Sequence, residues 1–523
     1  MTPATDPNIY QTFVSVAQRW PQAIAVSDEG AEISYAALVE RSRKVAAALM
    51  AAGIGKGDAV AIWSVNRLEW IVAALGIQAA GGVLVPLSTR LRAAEVSGIM
   101  RRARVRLLFC DRRFGSYDFP EAVACQELPD LQQVVCFDDA GDHAIGFDLF
   151  AASGSGIDDG AIDARIASIT SDDIVDILFT SGTTGAPKGV PLTHRQSILA
   201  CESMQTQIIR FEPGDCFCVI FPFAHNAGYR AGWQISLLYG VRVVPVRSYE
   251  AGDMLTLLDR EKPVYVPAAP PVFRAMLDHP DRTRFDLSSV RIAATGGTDV
   301  PVALVGDMWR DLGVRHVITG YGLTETAGLG TTSRPGDPDE VVARTAGRPY
   351  SGLEIKCVDV DFNPVPSGTP GEIVVAGEAI LKTYFEDPAA TAAAFTPDGF
   401  FRTGDIGTFD AAGNLAITGR LKDMYLVGGF NCYPAEIEQM LRTIDGVSDV
   451  AVIGVPDDRL GEVGHAFVVK DSRGTLTDAD VIAWARLNMA NYKVPRGVTF
   501  IDQLPRNPQG KVIKTELGKL VSA

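Results

Sequence analysis

The chain has 523 residues, 47% of them hydrophobic and 21% charged, with a formal net charge of −15. That length allows two or three substructures rather than a single core. The acidic balance argues against a nucleic-acid binder, whose footprint is basic, and against docking on anionic lipid. Residues 1–10 lack a basic segment followed by an apolar run, so no secretory signal is expected. The most apolar stretch, residues 71–86, is broken by Gln78, Gly81 and Gly82 and is too short to span a bilayer. It reads as a core helix followed by a strand, and no transmembrane segment is expected. The eight cysteines show no C-x-x-C spacing and read as buried, reduced thiols of a cytoplasmic enzyme; Cys216 and Cys218 would share one face of a strand.

Residues 12–20 and 35–52 have helical spacing, the second run ended by Gly53. Residues 59–64 are strand-like, 68–78 helical and 83–87 strand-like again. The alternation continues through strand-like runs at 106–110, 134–137, 216–221, 241–246, 264–268 and 290–295, which predicts an α/β body with largely parallel sheets. After residue 340 turns crowd in, with strand-like runs at 371–375 and 414–418, and the texture reads as antiparallel or barrel-like. From Gly419 onward a small α/β unit is expected, with helices at 434–444 and 477–489 and strands at 447–455 and 464–469. Thr477 with Asp480 resembles a capping box with Asp in place of Glu. The expected fold class is α/β: a large N-terminal body over 1–419 with parallel-rich sheets and a β-barrel-like section, and a small C-terminal α/β domain over 420–523.

The most informative stretch is Phe179-Thr180-Ser181-Gly182-Thr183-Thr184-Gly185-Ala186-Pro187-Lys188-Gly189, which follows an apolar run at 174–179. Glycines let backbone N–H groups turn toward an anion, hydroxyls add donors and Lys188 adds a point charge; together they make a polyphosphate cradle. It is not a Walker A loop, because Lys188 is followed by Gly189 rather than Ser or Thr. The string resembles the signature of the adenylate-forming superfamily: acyl- and aryl-CoA synthetases, peptide-synthetase adenylation domains and firefly-type luciferases. Five further elements follow in order along nearly the whole chain.

Tyr321-Gly322-Leu323-Thr324-Glu325-Thr326 gathers an aromatic, a glycine, a hydroxyl and a carboxylate. Tyr321 can stack on a purine, Thr324 can bond a phosphate and Glu325 can hold Mg²⁺; the resemblance implies the same roles. It further implies that Gly296 and Gly297 let the backbone approach the adenine and acyl group, that Arg420 contacts ribose or phosphate, and that the small domain is mobile and pivots at Lys422. Asp405, read as sitting in a tight turn, could accept both hydrogens of a ribose diol, a role the resemblance also assigns it. Gly428 and Gly429 open a stretch similar to the loop that swings toward the thiol tunnel, and Lys511 matches the catalytic lysine. Phe221-Pro222-Phe223-Ala224-His225-Asn226-Ala227-Gly228-Tyr229 resembles the acyl-pocket motif, with His225 where the acyl channel is gated. Amino-acid-activating relatives place an aspartate here; this stretch has no acid, which favours a plain carboxylic acid. Ala227, Gly228, Gly296 and Gly297 hint at room for a bulky or cyclic group.

The resemblance therefore implies an ATP-dependent acyl-CoA ligase that uses Mg²⁺ and coenzyme A, attaches an acid to AMP with loss of pyrophosphate, and passes the acyl group to CoA. No general base is needed, since the acid is already ionised near pH 7. A ligase that loads a carrier protein is the alternative among enzymes. A non-catalytic nucleotide- or acyl-binding module is the alternative from another class, and the presence of Lys188, Glu325, Asp405, Arg420 and Lys511 stands against it. Homo-oligomerisation, and silencing of Lys511 by a lysine acetyltransferase, are compatible with the same reading. Residues 61–64, 423–425 and 459–464 resemble bacterial ligases of ring-containing propanoates from steroid degradation. Medium-chain fatty acids and aryl acids stay open as substrates.

Overall fold

The computed structural model describes residues 6–115, 117–180, 187–247, 250–296, 300–427, 430–457, 459–471, 474–506 and 512–521. The chain forms two compact units, Met1–Glu354 with Ala376–Phe401, and Ile355–Val375 with Arg402–Ala523.

Two seven-stranded sheets build the first unit. One runs in the order His316–Ile318, Ile292–Ala294, Tyr265–Pro267, Cys216–Val219, Arg242–Pro245, Ile24–Asp28, Ala31–Ser34, and only the last pair is antiparallel. The other runs Lys188–Thr193, Ile174–Thr180, Val83–Leu87, Ala59–Trp63, Leu107–Cys110, Gln133–Cys136, Ile145–Gly146, and only its first pair is antiparallel. Parallel strands need crossovers that cover both faces of the sheet. That is why all of Ala59–Trp63 is buried and why the helix Leu68–Ala80 is apolar all round. The helix stops on Gly81, whose φ of +77° closes it in the left-handed region and releases the chain into Val83–Leu87. The stretch at 71–86 is thus a core helix and a core strand. Cys216 and Cys218 both enter the apolar cluster around Val266, Phe273 and Val290. All eight cysteines are free, and only Cys125 is exposed. Among the described residues no helix is long and apolar enough to cross a membrane.

The turn-rich section forms a three-stranded antiparallel sheet (Gly320–Gly322, Gly330–Thr332, Arg348–Pro349) and a four-stranded sheet (Leu353–Val358, Gly371–Gly377, Phe401–Phe409, Leu415–Arg420). In the second unit, Phe430–Cys432, Tyr425–Val427, Gly461–Lys470 and Val447–Asp457 make an antiparallel sheet, to which Gly497–Phe500 adds a parallel strand. The helices Pro434–Leu441 and Asp478–Asn488 pack Ile437, Leu441, Val481 and Ala485 against Val450, Val452, Ala466 and Val468. Thr477 and Asp480 form the reciprocal capping box expected at the second of these helices.

One buried histidine ties the chain's start to the first unit. His194, at the head of the helix His194–Met204, accepts the Ile9 N–H through Nδ1 at 3.3 Å, and burial lowers its pKa from 6.5 to about 4. Between those values the unfolded chain holds more protons than the folded one, so stability rises with pH across the window. The expected outcome is a loss of about 2 kcal/mol from this group between pH 6.5 and pH 5. His194→Asn, which keeps an acceptor for Ile9, should flatten that part of a stability–pH profile measured by denaturant unfolding.

Candidate active site

Two paired strands flank residues 181–186, most of the stretch expected to cradle phosphate. Ile174–Thr180 and Lys188–Thr193 pair antiparallel with Thr180 opposite Lys188, and Thr180 Oγ1 donates to the Lys188 carbonyl at 3.5 Å. Ser181, Gly182, Thr183 and Thr184 lie outside the described residues. The foot of the loop is clamped from two directions. Arg102 donates to the Pro187 carbonyl at 2.7 Å and to Asp387 at 3.1 Å, and Phe385 N–H donates to the Gly189 carbonyl at 2.9 Å. A Cβ on Gly189 would stand 3.0 Å from both Ile177 and Phe385, so a glycine is what lets the 384–387 segment lie this close.

That segment supplies a residue the sequence motifs do not announce. Glu325 sits in the short turn Thr324–Thr326, and its carbonyl accepts from Leu381 N–H at 2.7 Å. The Tyr384 hydroxyl donates to Glu325 Oε1 at 3.0 Å, while the Lys188 ammonium lies 5.0 Å from the centroid of the Tyr384 ring. Lys188 and Glu325, distant in sequence, therefore meet on one buried tyrosine. Burial, reinforced by the charge of Glu325, pushes the phenol pKa well up and keeps it a neutral donor. Among the described residues no three His, Cys, Asp or Glu side chains are arranged to hold a metal. A lone carboxylate at Glu325 fits Mg²⁺, which keeps most of its coordination for water and substrate phosphates.

Tyr321 is carried by the hairpin of Gly320–Gly322 and Gly330–Thr332. A Cβ at Gly322 would fall 2.3 Å from the Gly328 carbonyl, and one at Gly330 would fall 2.2 Å from the Tyr321 carbonyl, so only glycines allow the hairpin to close so tightly. Gly296 follows the neighbouring strand Ile292–Ala294, where a Cβ would stand 3.3 Å from Thr319 Oγ1. Gly297 is outside the described residues. Both elements, and the acyl-pocket motif after Cys216–Val219, lie past the carboxyl ends of strands in one parallel sheet, which is where open α/β sheets hold ligands.

Asn66 fixes the acyl motif to that sheet. Its amide donates to the carbonyls of Val219 at 3.1 Å, Phe221 at 2.9 Å and Val246 at 3.1 Å, and its oxygen accepts Phe223 N–H at 2.7 Å. These bonds explain why the strand expected at 216–221 stops at Val219. The side chain of His225 is exposed, and Nδ1 accepts Ala227 N–H at 3.2 Å. Partial desolvation lowers the pKa of its ring. Behind the motif Arg230 is fully buried and paired with the equally buried Asp176 of the strand Ile174–Thr180, its Nη2 reaching both carboxylate oxygens. Burial pushes the Asp176 carboxyl up, and the guanidinium pulls it back down. Asp176 stands inside an apolar run and belongs to no motif; a carboxylate in a buried strand is itself the signal that a cation must meet it.

The second unit carries the remaining positions. Asp405 is not in a turn, as expected, but in the strand Phe401–Phe409, where the ladder places it opposite Arg420 and the two side chains pair at 3.2 Å. Gly404, at φ +70°, gives the strand the local bend that the sequence pattern mimics as a turn. Lys422 is exposed in the turn Leu421–Asp423. Gly428, Gly429 and Lys511 lie outside the described residues. The chain on either side of Lys511 is described: Arg506 and Val512 form an antiparallel bridge, and Ile513 N–H donates to the Pro505 carbonyl at 2.8 Å.

Comparison with known proteins agrees with this geometry. Residues 13–385 match the family "AMP-binding enzyme", and residues 436–511 match "AMP-binding enzyme C-terminal domain". A "3-[(3aS,4S,7aS)-7a-methyl-1,5-dioxo-octahydro-1H-inden-4-yl]propanoyl:CoA ligase" of Mycobacterium tuberculosis is 43% identical, over 97% of each chain. A ligase of the same name from Rhodococcus jostii is 40% identical over 98% of each. The crystal structure of ATP-bound MatB from Rhodopseudomonas palustris superposes with a TM-score of 0.82 at 29% identity, covering 98% of this chain and 99% of that one.

Tyr384→Phe removes one hydrogen bond to a charged group, worth about 1.5–3 kcal/mol. The expected outcome is a fall of about tenfold or more in kcat/KM for Mg-ATP, with KM for the acid unaltered. An unchanged ATP dependence in pyrophosphate-exchange kinetics would remove Tyr384 from the site.

Proposed function

The chain belongs to the AMP-binding enzyme family, and on that premise we propose that it is a CoA ligase for a ring-bearing propanoate. The enzyme is an AMP-forming acyl-CoA ligase: it forms an acyl-adenylate and transfers the acyl group to CoA. Support for the acid comes from the two ligases at 43% and 40% identity over essentially the whole chain, both named for a dioxo-indanyl propanoate. The absence of an acid within Phe221-to-Tyr229 supports the same reading, because nothing in that motif offers a partner to a substrate ammonium.

The chemistry joins two anions. A carboxylate oxygen attacks the α-phosphorus of ATP and pyrophosphate leaves, so catalysis rests on positive groups and donors aimed at the charge that develops. The phosphate loop with Lys188 holds the β- and γ-phosphates. Glu325, oriented by Tyr384, would hold Mg²⁺, which supplies charge neutralisation on the phosphates when bound. Tyr321 stacks on the adenine, and Asp405 receives the ribose hydroxyls from a strand position fixed by Arg420. His225, neutral, flanks the acyl entrance. Lys511 bridges the carboxylate and the α-phosphate in the first step. In the second step residues 420–523 pivot about Lys422, Lys511 leaves, and the loop with Gly428 and Gly429 meets the thiol; this is a gated conformational step. Eight free cysteines fit a reducing cytoplasm.

Pyrophosphate exchange into ATP across a panel of carboxylic acids, with the thioester identified by mass, tests the activity and its acid. Lys511→Ala is expected to lose adenylation by about 10²-fold or more, the scale of one lost transition-state donor, and to keep thioester formation from supplied acyl-adenylate. Stoichiometric acetylation of Lys511 should do the same. Equal loss of both half-reactions would refute the two-step assignment of this lysine.

A further inference from the structure

We propose that the Asn226 carboxamide is a specificity-determining hydrogen-bond donor that reads a carbonyl oxygen on the ring of the acid, and that Arg230 positions it. The inference rests on the reading of this protein as a ligase of a ring-bearing propanoate and adds how the ring is told apart from a hydrocarbon of the same shape.

Arg230 is the starting point because its guanidinium has donors and no acceptor. It is fully buried, with Nε donating to Ser197 Oγ at 2.7 Å, Nη2 to Asp176 Oδ2 at 2.6 Å and Nη1 to Asn226 Oδ1 at 2.8 Å. Only an oxygen can face Nη1, so the amide of Asn226 has one orientation. Flipping it would set an NH₂ against a guanidinium and strand two buried donors. The Asn226 nitrogen is therefore turned away from Arg230, toward Gly328 in the loop that follows Glu325. A Cβ on Gly328 would stand 2.0 Å from that nitrogen, and the φ of +86° there disfavours any side chain. The space the amide occupies thus exists only because position 328 is glycine.

Among the described residues no acceptor takes the Asn226 NH₂, although the residue is only 7% exposed. The amide nitrogen is not fully enclosed, so water serves it in the free protein; a ring that closes over it must bring an acceptor or leave the donor unpaired at a cost of about 1–3 kcal/mol. The donor lies between the acyl motif, of which it is part, and the loop that carries Tyr321 and Glu325. An acid whose ring bears a carbonyl oxygen satisfies it, whereas the same ring without oxygen leaves it unpaired, and such sites discriminate against the analogue that lacks the acceptor.

The experiment compares kcat/KM for thioester formation from 3-(7a-methyl-1,5-dioxo-octahydro-1H-inden-4-yl)propanoate with that from the same skeleton lacking both oxo groups. Asn226→Asp is the decisive variant: it keeps an oxygen for Arg230 at nearly unchanged shape and replaces the donor with an acceptor. The carboxylate also adds a charge, which acts on both acids alike, so the readout is the ratio of kcat/KM for the dioxo acid to that for the deoxygenated acid; that ratio should fall about tenfold or more. Asn226→Leu should do the same; if thermal melting shows that it does not fold, the Asp variant carries the test alone. Arg230→Lys, which lacks the fork that joins Asp176 to Asn226, should lower the same preference ratio. An equal loss on both acids with Arg230→Lys would make that residue purely structural. Equal loss on both acids with Asn226→Asp, or no loss, overturns the inference while leaving the ligase reading intact. Wild-type enzyme that adenylates neither acid overturns the substrate reading, and this inference with it.

Discussion

A guanidinium and a carboxylate, both without solvent access, join the two large sheets. Asp176 stands in the strand that ends at the phosphate loop, and Arg230 follows the acyl-pocket motif that leaves the other sheet. Two charges taken from water cost several kcal/mol each, and their attraction repays that only with good geometry and further hydrogen bonds. Here Nη2 reaches both oxygens of Asp176, while Nε donates to Ser197 and Nη1 to Asn226. The pair is therefore a poor source of net stability and a strong source of register. Any displacement of one sheet against the other would expose an uncompensated charge, so the nucleotide side and the acyl side keep one relative position.

Around that fixed point the site is made where regular structure ends. Parallel strands bring their carboxyl ends to one edge, and the peptide groups beyond the ladder need partners from elsewhere. Asn66 supplies them for Val219, Phe221, Phe223 and Val246, and Arg102 supplies one for Pro187. These side chains fix the backbone of the motifs to which the proposed mechanism assigns the substrates. The glycines at 322, 328 and 330 act in the complementary way, by leaving out the atoms that would hold two segments apart.

How much of this was legible in the sequence follows from where the information is concentrated. The phosphate loop and the Tyr321-to-Thr326 stretch pack several chemical functions into a few adjacent residues, and local pattern is enough to mark them. The parallel sheets were legible because buried strands between crossovers read as short apolar runs, and the observed strands fall on those runs to within a few residues. Tyr384 was not legible: its meaning is the meeting of Lys188 and Glu325, and nothing in its own neighbourhood states it. Asp405 was read as a turn residue because Thr-Gly-Asp is turn-like in composition, whereas pairing with the Leu415–Arg420 strand overrides that local preference. The first helix begins at Ile9 rather than residue 12 because Asn8 and Gln11 form a capping box, a signal that was present and outweighed by the later apolar spacing.

The same arrangement separates rate from selectivity. Charge is what two anionic reactants require, and in the proposed mechanism Lys188, Lys511 and a metal at Glu325 supply it to the nucleotide. A charged group on the acyl side would bind the substrate carboxylate in competition with that productive alignment, and burying it unpaired would cost more than a ring contact returns. Arg230 is a cation built into the acyl motif's flank, and Asp176 neutralises it. What the pair leaves to face the acid is the neutral amide of Asn226, able to discriminate one oxygen from one methylene without adding a field that would pull the carboxylate away from the α-phosphorus.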